Sequence, residues 1–218
     1  MAVNILRVHR RDEGAAAFAA ALAGFAWAAG MLLPSPARAS FAEDASGSET
    51  VKLDGARSQL GFTVRVLWLV GVSGHFGKVD GTVHVDRFRN QISVDARIDV
   101  DAVKMDNKRY EEWVKSSEFF DVAAHPTIEF KSEPFPQPRL RKGGELSGML
   151  TLRGVRQPVT FQLQPAACER PAYDCPIEVE GTIRRSEFDM HSRRGTLSDK
   201  VELQFSVYAV APRETKNP

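Results

Sequence analysis

The chain has 218 residues, 43% of them hydrophobic and 26% charged, the balance of one ordinary globular domain. A net charge of +1 supplies neither a basic field nor an acidic tail, which argues against nucleic acid or another polyanion as partner.

In residues 1–39, Arg7, Arg10 and Arg11 precede an apolar run over 15–33, followed by Pro34-Ser35-Pro36-Ala37-Arg38-Ala39. That order is expected of a secretory signal peptide, with the small Ala37 and Ala39 suiting cleavage before Ser40. Asp12 and Glu13 weaken the basic region and the run approaches bilayer-spanning length, so an uncleaved anchor is the alternative. The Arg10-Arg11 pair lacks the following Phe or Leu of a twin-arginine signal. Residues 40–50 are small and polar without periodicity and read as a linker. The folded domain is expected over 51–211, with a flexible tail at 212–218.

From Val51 onward apolar residues recur with period two, the mark of strands with one buried face. Leu60, Phe62, Val64 and Val66 make the first run; Val79, Gly81, Val83 and Val85 the second; Ile92, Val94, Ala96, Ile98 and Val100 the third. Ile128 and Phe130 mark the fourth, Leu146, Gly148, Leu150 and Leu152 the fifth, and Val159, Phe161 and Leu163 the sixth. Ile177, Val179, Gly181 and Ile183 form the seventh, and Val201, Leu203, Phe205 and Val207 the last. Between the third and fourth runs Tyr110, Trp113, Val114 and Ser117 fall at helical spacing, with Asp106 or Asn107 placed to cap the start. Residues 116–132 then join that helix to the sheet through Phe119-Phe120 and the turn at His125-Pro126. Short connections between the runs mean antiparallel neighbours. The fold expected is all-β: an eight-stranded antiparallel up-and-down barrel with one α-helix between strands 3 and 4, the size that holds one small ligand.

Gly81, Ala96, Gly148 and Gly181 occupy inward positions mid-strand, so the barrel middle lacks side-chain volume unless the glycines only relieve curvature. An apolar channel is the resulting hypothesis. Its expected lining is those four residues with Phe62, Val64, Phe76, Phe130, Leu150, Phe161 and Phe188, closed at one mouth by Trp113, Phe119 and Phe120. Trp68, within the apolar Leu67-Trp68-Leu69-Val70, is expected as a portal lip or a membrane-touching edge.

Cys168 and Cys175 flank a Pro-containing loop. In an oxidising compartment they would close it, two free thiols being the alternative; zinc would want two further soft ligands nearby. Chemistry for catalysis is faint. Gly71-Val72-Ser73-Gly74-His75 has His where a nucleophile elbow has its last Gly. His75, His84, His125 and His191 contain no pair at metal-ligand spacing, and Asp189 with His191 could at most form a small acid/base pair for a hydrolase or lyase. No metal and no cofactor are expected, and the protein is not expected to be an enzyme.

The series Leu53-Asp54, Ser58, Phe62-Thr63-Val64-Arg65, Gly74-His75-Phe76, Gly81, Ser117-Glu118-Phe119-Phe120-Asp121, His125-Pro126-Thr127-Ile128-Glu129-Phe130, Leu150-Thr151-Leu152-Arg153-Gly154-Val155 and Arg185-Ser186-Glu187-Phe188-Asp189-Met190 resembles the YceI-like family over nearly all of residues 51–211. The resemblance implies a lipocalin-like barrel exported to the bacterial periplasm that holds a long polyisoprenoid, polyprenyl or quinone-type lipid in its pore, without catalysis. Two places depart from the family pattern: Arg57 stands where a His is usual, and Arg109-Tyr110-Glu111-Glu112-Trp113 where Arg-Asp-x-His-Leu is usual. The leading expectation is a binding or carrier protein for that lipid. The alternative is a structural or interaction module of the envelope with a filled barrel. A homodimer, a transient membrane contact and an envelope protein partner remain open on the sequence alone.

Overall fold

The computed structural model describes residues 47–211. Within them lie β1 (Ser48–Lys52), β2 (Gln59–Val66), β3 (Val70–Phe76), β4 (Val79–Asp86), β5 (Gln91–Asp99), β6 (Val103–Met105), α1 (Lys108–Lys115), β7 (Thr127–Ser132), β8 (Phe135–Pro136), α2 (Arg139–Lys142), β9 (Gly144–Leu152), β10 (Val155–Leu163), β11 (Ile177–Arg184) and β12 (Leu197–Val207). The strands form one sheet in the order β1-β4-β5-β7-β9-β10-β11-β12-β2-β3-β6, with β8 beside β5. Neighbours along it are antiparallel, as short connections require.

The alternation that makes these segments strands also puts one face of each into a single core. On β9 Leu146, Leu150 and Leu152 are buried, on β10 Phe161 and Leu163, on β11 Ile177, Val179 and Ile183. The sheet curls so far that the chain after β1 meets the chain after β12. Leu53 and Ala209 form an antiparallel bridge, Asp54 N–H donates to the Tyr208 carbonyl at 2.9 Å, and Val210 N–H to that of Lys52 at 2.9 Å.

All eight periodic runs are strands, and among the described residues the sheet has twelve, four more than the periodic runs, the additions being β1, β3, β6 and β8. β6 and β8 are three and two residues long, too short to show a period. β3 carries glycines at 71 and 74, which blank the alternation. β1 starts at Ser48, inside the stretch expected to be linker; it is polar and only half-buried, held by its ladder with β4 from Ser48↔Asp86 to Lys52↔Thr82. Helix α1 forms where the spacing placed it, and the Asn107 side chain accepts from Arg109 N–H at 2.9 Å to cap it. The four-residue α2 is a further helix, outside that expectation. The expected signal peptide, residues 40–46 of the expected linker and the expected tail lie outside the described residues. Among those described, no helix is long and apolar enough to cross a membrane.

The strand directions define two ends of the sheet. At the helix end lie the β2–β3 turn, α1 and residues 116–126, the β9–β10 turn and residues 185–196. At the opposite, disulfide end lie residues 87–90, α2 and residues 164–176.

Candidate ligand-binding site

The curled sheet encloses a cavity of about 1330 Å³ whose lining reaches from one end of the sheet to the other. Two groups of rings make its firmest walls. Phe62, Phe76 and Phe120 form a triangle with centroids 5.5, 5.7 and 6.1 Å apart. Phe130, Phe161 and Phe205 follow one another at 5.4 and 5.9 Å. Such spacings are those of tilted and edge-to-face pairs, which fix ring orientation beyond simple burial. Between the rings the wall is aliphatic, including Val64, Val83, Val94, Leu146, Leu150 and Leu203. Charged side chains enter at the disulfide end, where Arg87 pairs with Glu49 and Arg141 with Glu169, both at 2.5 Å. The Glu49 hydrogen bond and charge raise the Arg87 guanidinium above its ordinary value.

Of the expected lining residues, Phe62, Val64, Phe76, Ala96, Trp113, Phe119, Phe120, Phe130, Leu150 and Phe161 all face this cavity. Five do not. Trp68 lies on the β2–β3 turn, 65% exposed, and Phe188 is wholly buried in the core. Gly81, Gly148 and Gly181 leave no opening, because neighbours already fill the space above them. A Cβ on Gly148 would meet the Phe130 ring at 2.7 Å, one on Gly181 would strike the Phe161 ring, and one on Gly81 would meet Leu53 Cδ1 at 2.7 Å. Gly148 and Gly181 thus leave room for the Phe130 and Phe161 rings, and Gly81 for Leu53. Phe205, Leu203 and Val83 also line the cavity, and their inward parity marks them in the sequence; Tyr110, on α1, falls outside the strand alternation.

At the helix end the chain is tied across the barrel wall. Trp113 Nε1 donates to Glu118 Oε2 at 2.9 Å, its ring meets Phe119 edge-on at 4.9 Å, and the Arg193 guanidinium lies over it at 5.4 Å. Arg153, in the β9–β10 turn with φ 53°, donates to the Phe119 carbonyl at 3.0 Å. The neighbouring Gly154, at φ 73°, lets His125 close over the same turn. Arg185 has 3% of its surface exposed and also lines the cavity. It donates to the carbonyls of Ser198 (2.9 Å), Met190 (3.2 Å), Ser192 (2.7 Å) and Leu197 (3.4 Å). Burial lowers its proton affinity, while Asp199 opposes that shift.

The disulfide end is held differently. Cys168 and Cys175 are joined, with Cα atoms 6.0 Å apart. Arg57 reaches this loop, donating to the Tyr173 carbonyl at 3.2 Å while stacking over the Tyr208 ring at 3.9 Å. The buried Ser58 hydroxyl donates to the Asp54 carbonyl at 2.7 Å and accepts from Tyr208 N–H at 3.0 Å. These contacts lock the β1–β2 connection to the chain after β12.

The remaining polar motifs serve the surface. Ser73 sits within β3 with its hydroxyl 2.8 Å from that of Thr63 across the ladder, in no strand-to-helix turn. His191 and Asp189 pair at 3.3 Å, both well exposed. Among the described residues no three His, Cys, Asp or Glu side chains are grouped to hold a metal ion.

Residues 51–209 match the model of the YceI-like domain. The chain belongs to the YceI-like family. Protein YceI of Salmonella arizonae is 28% identical over 167 residues, covering 72% of this chain and 83% of its own. A UPF0312 protein of Pectobacterium atrosepticum is 26% identical over 164 residues, with the same coverage. Among solved structures, Burkholderia cenocepacia BcnA aligns with TM-score 0.60 and 22% identity, over 73% of this chain and 99% of that one. A polyisoprenoid-binding domain from Saccharophagus degradans aligns with TM-score 0.56 and 14% identity, over 76% and 99%. These likenesses establish the all-β curled fold. Two stretches behind the family resemblance, the Phe119-Phe120-Asp121 to Phe130 segment and the Leu150–Val155 turn, pack against each other here through Arg153 and His125. The departures from the YceI-like pattern are structural contacts as well: Arg57 braces the disulfide loop, and Trp113 meets Phe119 edge-on.

Proposed function

We propose that this YceI-like protein is a periplasmic, non-catalytic binding or carrier protein for a long-chain isoprenoid lipid, polyprenyl or quinone type, held in the barrel channel. The observation that carries the reading is the cavity of about 1330 Å³ walled by aromatic and aliphatic side chains, larger than the roughly 300–1,000 Å³ usual for compact small-molecule sites. A barrel filled with side chains does not accord with that volume. Burying methylene groups contributes about 0.8 kcal/mol each as an upper figure, so an extended tail needs no strong polar anchor. The Saccharophagus domain of the same fold, named for polyisoprenoid binding, supports the ligand class.

The register supports counting the wall as an eight-stranded lipocalin-like barrel. β3 and β4 face β5 and β6 in one ladder across a bend, with Phe76↔Val103 and Val79↔Ile98 on either side. Gly77 N–H donates to the Ala102 carbonyl at 3.1 Å and Asp99 N–H to that of Lys78 at 3.2 Å within the bend. Taken with β1 and β2 as one interrupted strand, the three bent strands plus β7, β9, β10, β11 and β12 make eight. Periplasmic placement rests on the expected N-terminal signal and fits a closed disulfide.

Native mass spectrometry and lipid extraction of gently purified protein test the function. A bound isoprenoid is the expected result. Repeated absence of bound lipid, together with no uptake of a long-chain quinone or polyprenol by the emptied protein, would overturn it.

A further inference from the structure

Four consecutive apolar residues stand out from the helix end on the β2–β3 turn: Leu67, Trp68, Leu69 and Val70 are 58%, 65%, 83% and 61% exposed. Among the described residues the other large exposed hydrophobics, Phe88, Tyr110 and Val210, are separate in sequence. Apolar side chains gathered on a tip are costly in water and mark a surface that is covered in use.

The backbone sharpens that inference. Leu67 and Trp68 have φ of 49° and 66°, and Leu69 N–H closes the turn on the Val66 carbonyl at 3.1 Å. Two successive positive φ values are what an Asn-Gly hairpin turn accepts easily and what Leu and Trp resist. Strain carried by bulky residues at an exposed tip, where a cheaper sequence would close the same hairpin, points to a use for their side chains. The tip is also held firmly, since Leu67 N–H donates to the Thr196 carbonyl at 2.7 Å.

Its position relates it to the cavity. Val66 and Val72, on either side of the tip, and Thr196 with Leu197, which brace it, all line the cavity. Tyr110 on α1 lines it too and is 41% exposed. The apolar tip is therefore continuous with the wall of the channel. Near it Arg65 pairs with Glu202 at 3.7 Å and Arg193 with Glu118 at 3.6 Å, while Arg194 contacts the His191 ring at 2.5 Å. Such a surface suits insertion among lipid headgroups by apolar contact, with tryptophan at the interface level, rather than attraction to charge.

We propose that residues 67–70 form a membrane-inserting tip that docks the helix end of the barrel on a lipid bilayer, beside the channel through which the cargo passes. The proposal rests on the lipid-carrier reading for the identity of the cargo, but the docking itself is measured separately. The experiment is co-flotation of the protein with vesicles of phosphatidylethanolamine and phosphatidylglycerol, and with phosphatidylcholine vesicles. Parent protein should float with both, with little loss at high salt. The Leu67→Asn/Trp68→Gly variant supplies the residues the turn prefers, so its melting temperature should hold or rise while vesicle binding falls by at least about tenfold. Trp68→Phe should keep most of the binding. Undiminished flotation of the Asn-Gly variant, or no flotation of the parent, overturns the proposal. So does a parent dimer in sedimentation that the variant loses, which would make the tip a contact between copies. Lipid content measured on the same samples separates the two readings. Equal bound isoprenoid in parent and variant leaves both standing; an empty parent that still floats removes the cargo and keeps the tip.

Discussion

Arg185 carries more of the helix end than any neighbouring side chain, because four carbonyls from residues 190–198 converge on one buried guanidinium. Replacing it with methionine fills similar space but strands those carbonyls and leaves Asp199 without its nearby charge. Arg185→Met should cost about 2–4 kcal/mol in denaturant unfolding, and Arg185→Lys should rescue little, since an ammonium cannot span the fork. Asp199 adds a pH signature. Burial works to raise its pKa, yet the Ser186 hydroxyl at 2.7 Å and N–H at 2.9 Å, with Arg185 and Arg184, hold it below the ordinary value. Its folded value thus lies beneath its unfolded value of about 3.9, so the folded state binds fewer protons. The stability this carboxylate contributes is complete above that value and is lost as the pH falls through the folded one. Urea titrations of parent and Asp199→Asn should differ by a constant amount near neutrality and converge below about pH 4; a gap unchanged down to pH 2.5 would remove the carboxylate from the account. The sequence marked Arg185 only as part of a resemblance, because a buried guanidinium satisfied by carbonyls leaves no periodic trace. The inward glycines were legible as positions and misread in effect: parity showed which way they face, while the rings lying over them come from neighbouring strands.

Among the elements, the loop closed by Cys168 and Cys175 has the clearest energetic role. It ties to the barrel through Arg57 on Tyr173 and through Ala209 N–H donating to the Ala172 carbonyl at 2.8 Å. A loop this short loses limited freedom on closure, so Cys168→Ser/Cys175→Ser should lower stability by about 2–3 kcal/mol on the chain-entropy account. The loss should appear first as faster amide exchange at residues 170–175 and 208–210, with α1 unaffected; uniform loosening of the whole barrel would contradict that local role. Eight strands could be read from periodicity because each turns one face inward over five or more residues, and α1 from its helical spacing, although none of its residues is fully buried. β1, β6 and β8 could not, for their ladder partners lie far away in sequence and their own residues are polar or too few; β3, although it forms a hairpin with β2, is interrupted by glycine. Curling of the sheet, which brings Leu53 to Ala209, is likewise a property of all the strands together.

For the whole molecule the cavity is the feature that the linear pattern could least specify. Parity names the inward residues, but volume depends on how tightly the sheet closes and on whether rings such as Phe130 and Phe161 lie along the wall or across the axis. Here the Phe130 and Phe161 rings occupy the space over Gly148 and Gly181, and a large apolar cavity is left beside them. Unfilled, such a space forfeits dispersion contacts on every lining atom. A ligand that enters the folded barrel and has no site on the unfolded chain then stabilises it by mass action, about 2.7 kcal/mol when free ligand stands at a hundred times its Kd. For a domain of this size each kcal/mol moves the melting temperature by about 2–4 °C. Protein stripped of lipid and reloaded with a long-chain polyprenol should therefore melt roughly 5–11 °C above its emptied form. The shift should rise with the number of isoprene units until the channel is filled and then level off, because units beyond its ends bury nothing. A shift independent of chain length would place the ligand on the surface and leave the channel without a role.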